Sequence, residues 1–168
     1  MLRLTSKLNW FGTTARKSLE DDYEVLSVLG QGSTSRVFLG IDIRDYHKVV
    51  LKMFKKMDEA KIQREIGVLR ELRDCPNIIP LEAVFRNEGS NNYTFVMPHY
   101  PGTTLNHLMK SLDIVQVRNF MQDILTALAY MHNKGIMHRD IKPSNVLVCS
   151  KGPEETTARC RVFDFGLA

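Results

Sequence analysis

The stretch "GIMHRDIKPSNVLV" at residues 135–148 sets His138, Arg139, Asp140, Lys142 and Asn145 between short apolar runs. Asp140 and Asn145 are oxygen donors five residues apart, and Asp164 in "FDFG" is a third; hard oxygens of this kind suit Mg2+. In "GQGSTSRV", Gly30 and Gly32 let the backbone approach a ligand closely, so that N–H groups can face phosphate oxygens. Lys52 stands in "VVLK", among residues that belong inside, where an ammonium needs a partner. Glu65 poses the matching question, because it lies on the inward side of a helical stripe between Ile62 and Leu69. A Lys52–Glu65 ion pair answers both and holds the lysine head toward a phosphate. Each feature also has an ordinary explanation. The "HRD" tripeptide suits a turn, the glycines suit a plain hairpin, and Lys52 can snorkel outward with Glu65 at the edge of its stripe. Their joint occurrence is what argues against those explanations: the groups come in the order, and on the elements, that phosphoryl transfer requires.

Those elements are legible in the pattern of the chain. "YEVLSVLG", "SRVFLGID" and "HKVVLKMF" alternate as strands of an antiparallel meander, punctuated by Gly30, Gly32 and Gly40. Residues 58–73 place Ile62, Ile66, Leu69 and Leu72 on one helical stripe, with acidic residues in the first turn and Arg73 in the last. Two short strands follow at 81–86 and 93–97, joined by the turn-rich "NEGSNN". After Pro98 and Pro101, residues 113–133 predict a long helix with Val117, Phe120, Met121, Ile124, Leu128 and Met131 inward, ended by Gly135. "NVLV" and "RVFDFGLA" predict a hairpin with a long polar connection. The fold class is α+β: a five-stranded antiparallel lobe with one helix, then a mainly helical lobe.

Composition excludes several alternatives. At 168 residues and 43% hydrophobic, the chain can bury one or two small cores, and its apolar runs are too short for a transmembrane segment. Three cysteines without metal-ligand spacing fit a reducing, intracellular compartment, cytoplasm or nucleus. Most of the net charge of +4 sits in residues 1–20, which hold Arg3, Lys7, Arg16 and Lys17 against Glu20 alone. Nucleic-acid binding therefore lacks the basic stripe it needs on a folded body. Residues 1–22 are expected to be a flexible basic leader. Met1, Leu4, Leu8 and Phe11 at helical spacing leave organelle targeting or membrane-surface association as the other reading.

From residue 23 to residue 168 the sequence resembles the eukaryotic protein kinases, with "HRDIKPSN" the most specific of its motifs. The resemblance implies a bilobal fold with a small lobe at 23–97, a hinge at 98–102 and a partial large lobe at 103–168. It implies an ATP- and Mg2+-dependent enzyme that phosphorylates serine or threonine hydroxyls of protein substrates, with room for a regulatory subunit. Lys52 would hold the α- and β-phosphates, oriented by Glu65. Asp140 would accept the hydroxyl proton, Lys142 would neutralise charge on the transferring group, and Asn145 and Asp164 would hold the metal. Leu29, Gly30, Gly32 and Ser35 would cover the nucleotide; Ser35 replaces the third glycine usual in that loop. Val37, Val50 and Leu147 would sandwich adenine, Met97 would close the back of the pocket, and Pro98, His99 and Tyr100 would form the hinge.

Within the family, "KIQREIGVLRELRDCPNIIPL" is similar to the casein kinase II catalytic subunit, and "FVMPHY" with "MHRDIKPSN" to the Dbf-dependent replication kinases. The sequence stops at Ala168, directly after "DFG", so the resemblance implies a large lobe that is incomplete here and inactive alone. The competing expectations are a nucleotide-binding regulator without catalysis and an incomplete gene product.

Overall fold

The computed structural model describes residues 4–8, 14–15, 18–55, 58–87, 92–150 and 159–168. The chain divides into two compact units, Met1–Gln63 with Leu81–His99, and Arg64–Pro80 with Tyr100–Ala168.

The first unit is built on an antiparallel sheet. Its strands are β1 (Leu4–Leu8), β2 (Thr14–Ala15), β3 (Tyr23–Gln31), β4 (Ser35–Asp42), β5 (Lys48–Phe54), β6 (Ala83–Asn87) and β7 (Tyr93–Pro98). Among the described residues the spatial order is β2-β1-β6-β7-β5-β4-β3. The five strands expected from the alternation are present. Period-2 alternation separates the faces of β4 and β5: Phe38, Val49, Leu51 and Met53 join Leu19, Tyr23, Ala83, Phe85 and Val96 in one core. Tyr23 meets Phe85 edge-on at 5.7 Å between ring centroids, a favourable aromatic geometry. Central β7 buries its first four residues, Tyr93 to Val96, as a strand covered on both faces does.

Within residues 1–22, expected to be a flexible leader, the described residues include two short strands. β1 lies beside β6, pairing Leu4 with Asn87 and Lys7 with Phe85, and β2 pairs with β1. Without β1, β6 would be a sheet edge with a row of open N–H and C=O groups, and the added strand satisfies them. "LTSKL" carries no period-two alternation, since Ser6 lies between Leu4 and Leu8 on their face of the strand, so the sequence offered no strand signal there. Met1 and Phe11 of the expected helical spacing lie outside the described residues.

Helix α1 (Glu59–Glu71) begins in the first unit and continues into the second. It buries the expected stripe, Ile62, Ile66 and Leu69, and with them Glu65, which is 4% exposed. The second unit adds α2 (Leu105–Leu108), α3 (Ile114–Asn133) and a sheet of β8 (Gly102–Thr104), β9 (Val146–Cys149) and β10 (Arg159–Val162), ordered β10-β9-β8. α3 starts with a reciprocal cap: Asp113 Oδ1 accepts from the Gln116 N–H at 2.8 Å, and Gln116 Oε1 from the Asp113 N–H at 3.0 Å. It stops at Gly135, whose φ of +71° is the left-handed conformation glycine adopts without cost.

The buried stripe of α3 is Phe120, Asp123, Ile124, Ala127 and Met131. Val117 and Met121, expected inward, are exposed at 39% and 47%, and Leu128 is only partly buried. A polar anchor decides the rotation. Asp123 accepts from Arg159 Nε at 3.1 Å and Nη2 at 2.8 Å, and from the Cys160 N–H at 2.8 Å, which turns its side of the helix onto β10. Phe120 and Ile124 then meet Val146, Val148 and Cys160 in the second core. The segment after α1 joins the same sheet end, where the Val162 N–H donates to Asn77 O at 2.8 Å and the Ile79 N–H to Val162 O at 3.0 Å.

Candidate active site

In the second unit, the segment between α3 and β9 is held by its own polar groups. Lys142 Nζ donates to Asp140 Oδ2 at 2.7 Å, and Asn145 Nδ2 donates to the same oxygen and to the Asp140 carbonyl, both at 2.9 Å. A short 3-10 turn, Pro143–Asn145, makes this reach feasible: proline fixes its first φ, and the Asn145 N–H closes it on Lys142 O at 2.9 Å. The amide nitrogen of Asn145 is engaged with Asp140, so Oδ1 is the end of that side chain suited to a cation. The Lys142 ammonium, and after it the Asn145 amide, hold the Asp140 carboxyl below the usual carboxylate range, so it is ionised at neutral pH.

His138 lies beneath this segment, 1% exposed. Its Nδ1 accepts the Asp140 N–H at 3.2 Å and its Nε2–H donates to Phe163 O at 3.1 Å, which defines a neutral tautomer. Burial pushes its pKa below the ordinary histidine value and keeps the ring neutral. The ring also packs on Phe165 at 4.8 Å. One imidazole therefore fixes Asp140 relative to the strand end that carries Asp164. Both Arg139 and Asp164 have left-handed backbones, φ +64° and +69°, a conformation rare in non-glycine residues and found at sites that must aim a side chain. Asp164 is exposed, whereas Glu65 is buried. The two carboxylates flank Gly166: a Cβ there would stand 3.6 Å from Glu65 Oε2 and 3.8 Å from Asp164 Oδ1.

In the first unit, strand register gathers the other groups. Val37 lies opposite Lys52 and Gly30 opposite Val37; Val50 lies opposite both Leu39 and Met97. Cross-strand partners share a face, so Gly30, Val37, Val50, Lys52 and Met97 occupy the side of the sheet away from the Val49–Leu51 core. Lys52 Nζ lies 4.9 Å from the Phe54 ring centroid. Leu29 is the extra residue where the β3–β4 register shifts between Val28 and Gly30, and it is half exposed. Gly32 closes the turn through its N–H to Ser35 O at 2.9 Å, and Ser35 is buried opposite Phe54. Pro98 ends β7, and the His99 N–H donates to Lys48 O at 3.2 Å.

The protein kinase domain model matches residues 23–168, the span that holds all of these groups. The chain belongs to the protein kinase family. It is 38% identical over 148 residues to a probable serine/threonine-protein kinase of Dictyostelium discoideum, a match covering 88% of this chain and 24% of that protein. The chain thus spans about a quarter of the relative's length.

Within this kinase domain, each unit assembles its own share of the expected residues. Lys142 and Asn145 are both hydrogen-bonded to Asp140, Glu65 and Asp164 each lie within 4 Å of where a Cβ of Gly166 would stand, and the glycine, valine and lysine positions share one sheet face. Leu147 lies on β9 between Thr104 and Arg161 of the flanking strands. Tyr100, expected in the hinge, lies under the Arg161 guanidinium, 4.0 Å from ring centroid to Cζ. Sequence reasoning assigned no role to His138, Asp123 or Arg161. The signal for His138 was weak but present, an imidazole two residues before the carboxylate it supports. Asp123 sat unremarked inside an apolar stripe, where a carboxylate requires a partner.

Proposed function

We propose that the protein transfers the γ-phosphoryl group of Mg·ATP to serine or threonine hydroxyls of protein substrates. The observation that carries the reading is the Asp140 carboxylate, ionised, surface-accessible and aimed by Lys142, Asn145 and His138. The serine/threonine preference rests on Lys142 two residues after the base and on the Dictyostelium relative.

The residues present fit the nucleotide and the ion. A Cβ at Gly30 would meet nothing within 4 Å, and the φ of Gly30 is not in the left-handed region. Neither packing nor backbone geometry therefore requires glycine there, and the open space suits a phosphate chain. Asn145 Oδ1 and the Asp164 carboxylate are hard oxygens appropriate to Mg2+. When bound, the cation neutralises charge on the phosphate oxygens.

In this reading Lys52 binds phosphate oxygens. Val37, Val50 and Met97 exclude water around the base, and Pro98 and His99 offer main-chain groups to its edge. Asp140 Oδ positions the substrate hydroxyl and takes its proton. Lys142, within hydrogen-bond distance of Asp140, places positive charge where the phosphoryl group passes. Most of the acceleration comes from positioning and electrostatics, which is why Asp140 rests on a buried neutral ring rather than on a mobile loop.

The test is transfer of label from γ-labelled ATP to serine- and threonine-containing peptides by the full-length protein. Asp140→Asn should lower the rate by at least about a hundredfold while nucleotide binding persists. Asp164→Asn keeps the shape and removes the charge that holds the metal, so it should raise the Mg2+ requirement and abolish most turnover. Undiminished transfer by Asp140→Asn refutes the assignment of the base.

A further inference from the structure

The β3–β4 turn is held at two points by one residue that no catalytic role requires. Lys55 follows the last residue of β5. Its backbone N–H donates to Thr34 O at 2.9 Å, and its Nζ donates to Gly32 O at 2.8 Å. The third contact across the turn is the Gly32 N–H on Ser35 O, at 2.9 Å. The two Lys55 bonds differ in kind. The first continues the β4–β5 ladder, since Ser35 already lies opposite Phe54, and any residue but proline at position 55 would make it. The second depends on a long side chain bearing a donor, and it spans 23 residues of sequence.

The peptide unit gives this second bond its consequence. In a planar trans peptide, C=O and N–H point in opposite directions, so holding Gly32 O on the Lys55 ammonium turns the Ser33 N–H away from it. Gly30 and Gly32 leave open space beside this turn: a Cβ at Gly30 meets nothing within 4 Å, and one at Gly32 meets only Ser35 O at 3.8 Å. Without an external tie the Gly32–Ser33 peptide could rotate at little steric cost. With the tie, one orientation is selected before any ligand arrives, and binding need not supply that ordering.

The geometry points to Lys55 as a positioning residue for the glycine-rich turn, one that presets the Ser33 N–H for phosphate. This rests on the proposed nucleotide-binding function, but the clamp is measurable without nucleotide. In the full-length protein, Lys55→Met should speed amide hydrogen exchange at residues 32–35. It should also raise the Kd for Mg·ATP and the KM for ATP about three- to tenfold, the ordinary worth of one charge-assisted hydrogen bond, with kcat at saturating ATP changed less than about twofold. Lys55→Arg, whose guanidinium can donate to the same carbonyl, should restore both the exchange protection and the affinity. Equal exchange and equal affinity in Lys55→Met overturn the proposal, as does a failure of arginine to restore them. A wild-type protein that binds no Mg·ATP overturns the nucleotide reading instead, and the exchange comparison then still decides whether Lys55 clamps the turn.

Discussion

Two glycines separate what the fold requires from what the ligand requires. Alanine at position 102 would put its Cβ 2.1 Å from the Val148 carbonyl oxygen and 3.0 Å from Cys149 Cα. Comfortable contact lies near about 3.5 Å, so the two backbones must part by roughly 1 Å or more. They are paired strands, Gly102 opposite Cys149 and Thr104 opposite Leu147, and parting them opens the β8–β9 ladder. An overpacking cost of about 2–3 kcal/mol follows for Gly102→Ala. In a chain of this size that lowers Tm by about 5–10 °C. Gly30→Ala is the opposite case. The added methyl meets nothing, the φ of Gly30 is not in the left-handed region, and stability should hold or rise by about 0.5 kcal/mol through the unfolded chain. Its effect should appear only with ligand, as at least about a tenfold loss of Mg·ATP affinity when the methyl stands where phosphate oxygens approach. Thermal unfolding with and without Mg·ATP reads both quantities, because a ligand that binds only the folded state raises Tm in proportion to its occupancy. The reasoning is refuted if Gly102→Ala unfolds with the wild-type protein, or if Gly30→Ala binds Mg·ATP undiminished.

Two further outcomes follow from the electrostatics. Asp140 has a depressed pKa, so its base form persists as pH falls and activity is lost only when pH passes below the depressed value; Lys142→Met removes the largest cause, and the acidic limb of its kcat/KM profile should move to higher pH. An unmoved limb would show that Lys142 does not set the charge of Asp140. Asp123→Ala removes a buried carboxylate that accepts from Arg159 and from the Cys160 N–H, leaving that buried N–H unpaired; denaturant unfolding should show a loss of about 2–4 kcal/mol with an unchanged m-value.

The elements were legible in the sequence because periodicity reports apolar faces directly. The α1 stripe and the meander were read within a residue or two, and Gly135 marked the end of α3 because few other residues accept its φ. Where the reading failed, a polar group had been treated as incidental. Counting apolar residues on α3 favoured Val117 and Met121, and the helix instead turned toward Asp123 because Arg159 and Cys160 supply its hydrogen bonds. A strand at "LTSKL" was not legible either, because it pairs with β6, about 80 residues away.

The candidate site divides along the same line. Lys142 and Asn145 lie two and five residues from Asp140, so chain connectivity and a proline-started turn bring them to its carboxylate, and a sequence motif can encode the arrangement. By itself the sequence therefore determined which groups could do chemistry and that three of them would converge. The support beneath them was decided only in three dimensions. His138 reaches Phe163 across 25 residues, and Asp123 reaches Arg159 across 36. Burying a charge or an imidazole is tolerable only when a partner supplies the lost hydrogen bonds, and no local spacing specifies a partner that a different element brings into place.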